Sequence, residues 1–114
     1  MKRNSLVYID DILESINKIE DYIKNMGEDD FYEDSQVQDA VFRRLEIIGE
    51  AVKNIPSVIK NKYKNVPWAE ITGTRDILIH SYFGVNIEMI WKVIEDDLPS
   101  LKEEILQIKK DLEK

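Results

Sequence analysis

Between Val37 and Ile55 the apolar residues return at steps of four and three: Val37, Val41, Leu45, Ile48, Val52 and Ile55, with Ala40, Ile47 and Ala51 widening the stripe. A strand would bury every second residue. This period instead buries one face of an α-helix for about five turns. The same spacing runs through Leu6, Ile9, Ile12, Leu13, Ile16, Ile19 and Ile23, which predicts a helix from Ser5 to about Met26. It returns in Ile87, Ile90, Trp91, Ile94 and Leu98, and continues in Leu101, Ile105, Ile108 and Leu112. No segment alternates as a half-buried strand would, and no internal repeat is present. Several amphipathic helices that must cover one another's apolar faces predict an all-α fold, an antiparallel bundle of four to five helices forming one domain over residues 1–114.

The punctuation sets the expected boundaries. Ser5 can cap the first helix and Gly27 can end it in a left-handed conformation, leaving Gly27-Glu28-Asp29-Asp30 as an acidic link. Asp34 or Ser35 can start the second helix. Gly49 lies inside that helix at a cost in propensity, which points to another chain segment coming close there. Pro56 ends or bends the helix after Ile55, because the residue before a proline avoids the helical region. Residues 56–64 can form a short helical piece with a basic outer side. Pro67 suits the first turn of a third long helix, with Trp68, Ile71, Ile77 and Leu78 expected to be buried and Thr72-Gly73-Thr74 as a point where it can break. Gly84 is the expected stop, Asn86 the cap of the next helix, and Pro99 a kink or restart in the last.

Composition narrows the function classes. With no cysteine among its 114 residues, the chain can hold neither a disulfide framework nor a cysteine-based zinc site. The first residues lead into Asp10, Asp11 and Glu14, so neither a signal peptide nor a membrane span is expected, and the expected location is cytoplasmic. The net charge of -7 disfavours indiscriminate binding to nucleic acid, because phosphate neutralisation supplies most of that affinity. The charge is uneven, however. From Arg43 to Arg75 seven basic residues face three acidic ones, a local net of +4 that leaves the remainder at -11. Such a run reads either as solvated helix faces or as a phosphate-attracting patch.

That basic run leads into Arg75-Asp76-Ile77-Leu78-Ile79-His80-Ser81-Tyr82-Phe83-Gly84, which contains the only histidine of the chain. Histidine titrates near neutral pH and can both take and give a proton. Arginine binds phosphate oxygens bidentately and stabilises charge developing on them. RNA cleavage without a metal needs a base for the 2'-hydroxyl, an acid for the leaving 5'-oxygen and a cation on the phosphate. On a regular helix Arg75 and His80 stand about 140° apart, so one copy cannot aim both at one point without distortion near Gly84 or a second subunit. One histidine also cannot easily act as acid and base at once; a homodimer would supply two. The spacing alone equally fits a structural histidine at a helix end, core aromatics at Tyr82 and Phe83, and a surface ion pair between Arg75 and Asp76.

The residues resemble a known family. Arg75, His80 and Tyr82 reproduce the R-x4-H-x-Y motif of the HepT-like proteins, the toxin side of bacterial and archaeal toxin-antitoxin pairs within the HEPN superfamily. Ile47-Ile48-Gly49-Glu50-Ala51 looks like that family's second-helix signature. Pro67-Trp68 with Ile71 precedes the motif, and Tyr82-Phe83-Gly84, Trp91 and Leu98-Pro99 follow it, in one collinear order over nearly the whole chain. The resemblance implies a helical HEPN bundle that forms a homodimer and cleaves RNA without a metal or other cofactor, with Arg75 and His80 as catalytic residues. It implies a minimal nucleotidyltransferase partner that silences the toxin by moving AMP from ATP to Tyr82. Adenylylation would place bulk and negative charge beside the phosphate-binding arginine. Asp76 stands where the superfamily often has a polar residue and is expected to support the site by orienting Arg75 or His80. The alternative expectation is a non-catalytic helical subunit that docks the nucleotidyltransferase.

Overall fold

A computed structural model describes residues 4–80 and 86–114, the side chains of Ile79 and His80 excepted. The elements in order are α1 (Ser5–Tyr22), α2 (Glu28–Glu33), α3 (Ser35–Lys53), α4 (Ser57–Lys62), α5 (Trp68–His80), α6 (Ile87–Lys92), a π-helical turn (Val93–Asp97) and α7 (Leu98–Leu112). Among the described residues there is no strand, and the fold is all-α as the apolar periods require. None of their helices is long and apolar enough to cross a membrane.

Ile9, Ile12, Ile16 and Ile19 of α1 are fully buried, each about 1.5–3 kcal/mol of transfer free energy relative to exposure. They pack against α3 through Val41, Leu45, Ile48 and Val52, and against α7 through Leu101, Ile105 and Ile108. Two ion pairs fix the direction of α7 on α1. Lys109 meets Asp10 at 2.9 Å and Lys102 meets Glu20 at 2.7 Å, so the two helices run antiparallel.

Several boundaries differ from the sequence reading. Asn4, not Ser5, caps α1 by accepting the Leu6 N–H at 2.9 Å. The helix ends at Tyr22, and the left-handed residue after it is Asn25 (φ 66°), whose short polar side chain tolerates that region. Gly27 is extended and begins α2 inside the stretch expected to be an acidic link. There the Asp30 carboxylate accepts the Gly27 N–H at 2.9 Å, which closes the first turn. The helix carries Phe31 into the core, fully buried and 5.3 Å from the Trp91 ring. Asp34 caps α3 through the Val37 N–H, as one of the two expected caps.

α5 passes through Thr72-Gly73-Thr74 without a break. Thr72 and Thr74 donate their hydroxyls to the carbonyls of Trp68 and Glu70 one turn back, which satisfies them within the helix at a small cost to its ladder. Leu78 is buried as expected, but Ile77 is 41% exposed. Neighbours on a helix point about 100° apart, and here Leu78 takes the core side while Ile77 turns toward the edge of the packed face. Asn86 caps α6 by accepting the Met89 N–H. The irregularity expected at Pro99 lies just before it: the Leu98 N–H reaches the Val93 carbonyl, a one-residue widening. Pro99 has no N–H, and its ring would crowd the carbonyl of Glu95 in a regular helix, so the turn opens. The Gly84 stop lies outside the described residues.

Candidate functional site

The site begins with a missing side chain. α3 and α5 pack closely, and a Cβ built on Gly49 would overlap the Cβ of Arg75 and stand 2.9 Å from its Cγ. Gly49 is thus a notch in α3 that receives the stem of Arg75, the close approach that its place inside a helix suggested. Because the crowded atom is the Cβ of Arg75 and not the tip of a flexible chain, even a methyl at position 49 would have to push α5 away.

The notch aims the guanidinium. Arg75 Nη2 meets Glu50 Oε2 at 2.8 Å, and Nη1 meets Asp76 Oδ1 at 3.3 Å. Its side chain is only 20% exposed, while both carboxylates are more than half exposed. Two weak, partly screened pairs on one short-tethered arginine restrict its rotamers more than they stabilise the fold. Of the five N–H donors of a guanidinium, those not taken by the carboxylates can still meet an anion.

Arg75 lines a cleft of about 460 Å³ bounded by α1, α3 and α5. Tyr8 and Asp11 come from α1, Arg43, Glu46, Ile47, Glu50 and Ala51 from α3, and Asn54 from its C-terminal cap. Arg43 is a second cation on its wall, 69% exposed and 3.7 Å from Glu46. The cleft therefore mixes both signs of charge, with two arginines and three carboxylates. The carboxylates weaken the attraction of the cleft for a phosphate, which would meet the guanidinium N–H groups that they leave free.

Of the expected site residues, the structure brings Arg75 and Asp76 into contact. His80 is the last residue of α5, which places its backbone on the same helix as Arg75; its side chain is not among those described. Tyr82, expected to be the modified residue, and Phe83 lie outside the described residues. Sequence reasoning missed Glu50 as the partner of Arg75, and it missed α1 as a wall of the cleft. An acidic residue directly after a helix glycine, opposite a motif arginine, was the available signal. No group of three or more His, Asp or Glu side chains among the described residues is arranged to hold a metal ion.

Comparison with known proteins gives a consistent result. The model of the "Ribonuclease HepT-like" family matches residues 12–108. A Methanocaldococcus jannaschii protein whose name joins a gamma-glutamylcyclotransferase to a candidate RNase is 50% identical over all 114 residues. The chain spans 51% of that relative's length. A Thermococcus cleftensis protein named as a probable ribonuclease HepT is 44% identical over 96% of the chain and 100% of its own length. A Caldanaerobacter subterraneus protein named as a candidate RNase is 43% identical over 89% of the chain and 90% of its own length. No solved structure matched.

Proposed function

Because the chain belongs to the HepT-like ribonuclease family, within the HEPN superfamily, we propose that it is a toxin that cleaves RNA without a metal, using Arg75 and His80. The observation that carries this reading is the held arginine. Arg75 has its stem seated in the Gly49 notch and its guanidinium fixed at a cleft, five residues before the histidine on one helix. Holding a cation where phosphate charge develops lowers the barrier without reorganisation during the reaction. In this scheme the His80 imidazole takes the 2'-hydroxyl proton, the 2'-oxygen attacks phosphorus, and an imidazolium returns a proton to the departing 5'-oxygen.

The roughly 140° between positions 75 and 80 on a helix argues for a homodimer, in which the two copies supply two histidines and two arginines to one cleft. Asp76 supports the site by restraining Arg75. The off-signal is adenylylation of Tyr82 by a partner nucleotidyltransferase. The tyrosine oxygen attacks the α-phosphorus of ATP, losing its proton, and pyrophosphate leaves. The added phosphate would compete with RNA for Arg75 and block the cleft. The setting is the cytoplasm.

Substituting His80 by Ala should lower RNA cleavage about a hundredfold or more and relieve growth inhibition while the helical content stays unchanged. Full activity in that variant overturns the assignment. Co-expression with the neighbouring gene product, followed by intact-mass measurement, should show AMP-sized additions that need Tyr82. Additions that persist in Tyr82→Phe refute it as the acceptor.

One observation favours a second reading, a non-catalytic subunit that docks the nucleotidyltransferase. Both ends of the Arg75 guanidinium already face carboxylates, and the chain is acidic overall. A purified protein that cleaves no RNA in EDTA yet binds that partner stably would select this reading.

A further inference from the structure

α5 packs mainly on α3, and α7 mainly on α1, so the two helices flare apart over α3. Between them lies an open groove of about 250 Å³. Leu45 and Ile48 of α3 form its floor, Ile71 one wall, and Leu98 and Leu101 the other. A groove with an apolar floor between two helices can receive the apolar side chains of a further helix. Its rim has one sign of charge. Glu70 stands on the α5 side and Asp96, Asp97 and Glu104 on the other, with neither Lys nor Arg among the described lining residues.

Glu104 adds a second, independent sign of something unfilled. Its Oε2 is shielded from water and meets no hydrogen-bond donor among the described residues, and burial pushes its carboxyl above the usual range. A shielded carboxylate oxygen without a donor is destabilising, and an incoming ammonium or guanidinium would relieve it.

We propose that this groove docks an amphipathic helix of a partner protein, seating apolar side chains against the part-buried Ile71 above the buried floor of Ile48 and Leu101 and setting Lys or Arg side chains against the acidic rim. A second copy of this chain fits poorly. Joined groove to groove about a two-fold axis, it would set the same carboxylates against one another. The groove shares no lining residue with the Arg75 cleft, so the inference does not rest on the nuclease reading. A partner could hold this face while the cleft remains open to its own ligand.

The test selects from a displayed library of helical peptides of about five turns against the immobilised full chain, then titrates the selected peptides by fluorescence anisotropy. Selected peptides should carry apolar residues at i, i+3 or i+4 and i+7 with Lys or Arg beside them, and their binding should weaken with salt. Ser100→Arg and Thr74→Arg, which put bulk and positive charge on the two walls, should each weaken binding about tenfold or more, and Glu104→Gln several-fold. Circular dichroism checks that the variants keep their helices, and Ser100 is exposed, so that substitution leaves the core intact. No enrichment, enrichment of acidic or uncharged sequences, or binding unchanged in both arginine variants overturns the proposal. So does a dimer of the wild type that Ser100→Arg dissociates, since a second copy would then fill the groove.

Discussion

Gly49 of α3 and Gly73 of α5 are both glycines inside helices, yet a side chain would meet opposite surroundings at the two. The space beside Gly49 is filled by the stem of Arg75, whereas among the described residues nothing lies within 4 Å of where a Cβ would stand on Gly73. A glycine inside a helix costs about 0.5–1 kcal/mol relative to alanine wherever it occurs. At Gly49 that cost admits a long cation into a helix crossing. At Gly73 the local packing gives no return that the structure explains. The contrast separates a glycine that seats the stem of Arg75 from one that only weakens its helix.

The sharpest way to break the comparison is to give both positions a methyl. Gly49→Ala should force α5 away from α3. Overpacking of this kind costs about 1–3 kcal/mol, partly offset by about 1 kcal/mol of helix propensity. The larger effect should fall on RNA cleavage, where an arginine displaced by about 1 Å costs on the order of a hundredfold. Parallel denaturation and cleavage assays check both values, and a Gly49→Ala protein that matches the wild type in each removes the notch from the account.

A milder change leaves the notch and loosens the clamp. Glu50→Gln keeps the size of the side chain but removes the charge that holds Nη2 at 2.8 Å. Cleavage should fall several-fold with the stability nearly unchanged, because an exposed pair contributes about 1 kcal/mol or less. A rise in cleavage would show instead that Glu50 competes with phosphate for Arg75. Gly73→Ala should raise stability by about 0.5–1 kcal/mol and leave cleavage unaffected. Loss of stability there would mean that the open space beside Gly73 is taken in solution.

The smallest effect lies away from both glycines, where the Tyr63 hydroxyl donates to Asp111 near the end of α7. That bond, with a second from Gln107, holds the Asp111 carboxyl below the usual carboxylate range. A lowered native pKa contributes stability that is fully present above the unfolded value and is lost as pH falls through the native one. Tyr63→Phe should therefore be less stable than the wild type at neutral pH, with the difference shrinking on acidification through that window. A difference that grows on acidification has the wrong sign for this bond.

Much of the fold was legible because α1, α3 and α7 each press one unbroken stripe against the core, and a burial that continuous leaves its period in the sequence. Shorter elements were less readable. α2 hides in an acidic run, and only Gly27 and Asp30, placed to close a first turn ahead of Phe31, marked it. Ile77 misled because an apolar run on a helix must send some members outward. In the site, the motif marked Arg75, and Gly49 marked the close approach. The pairing with Glu50 had one faint signal, its place directly after the helix glycine, but the sequence does not say which helix crosses there. The proposed roles of His80 and Tyr82 concern side chains beyond those described.

The central claim is that the seated arginine does chemistry. The most direct measurement is the initial rate of single-stranded RNA cleavage in EDTA by the wild type and by Arg75→Ala, with helical content matched by circular dichroism. Measurable cleavage by the wild type and a loss on the order of a hundredfold or more in the variant are expected. Equal rates in the two proteins, or no cleavage by the wild type, would contradict it.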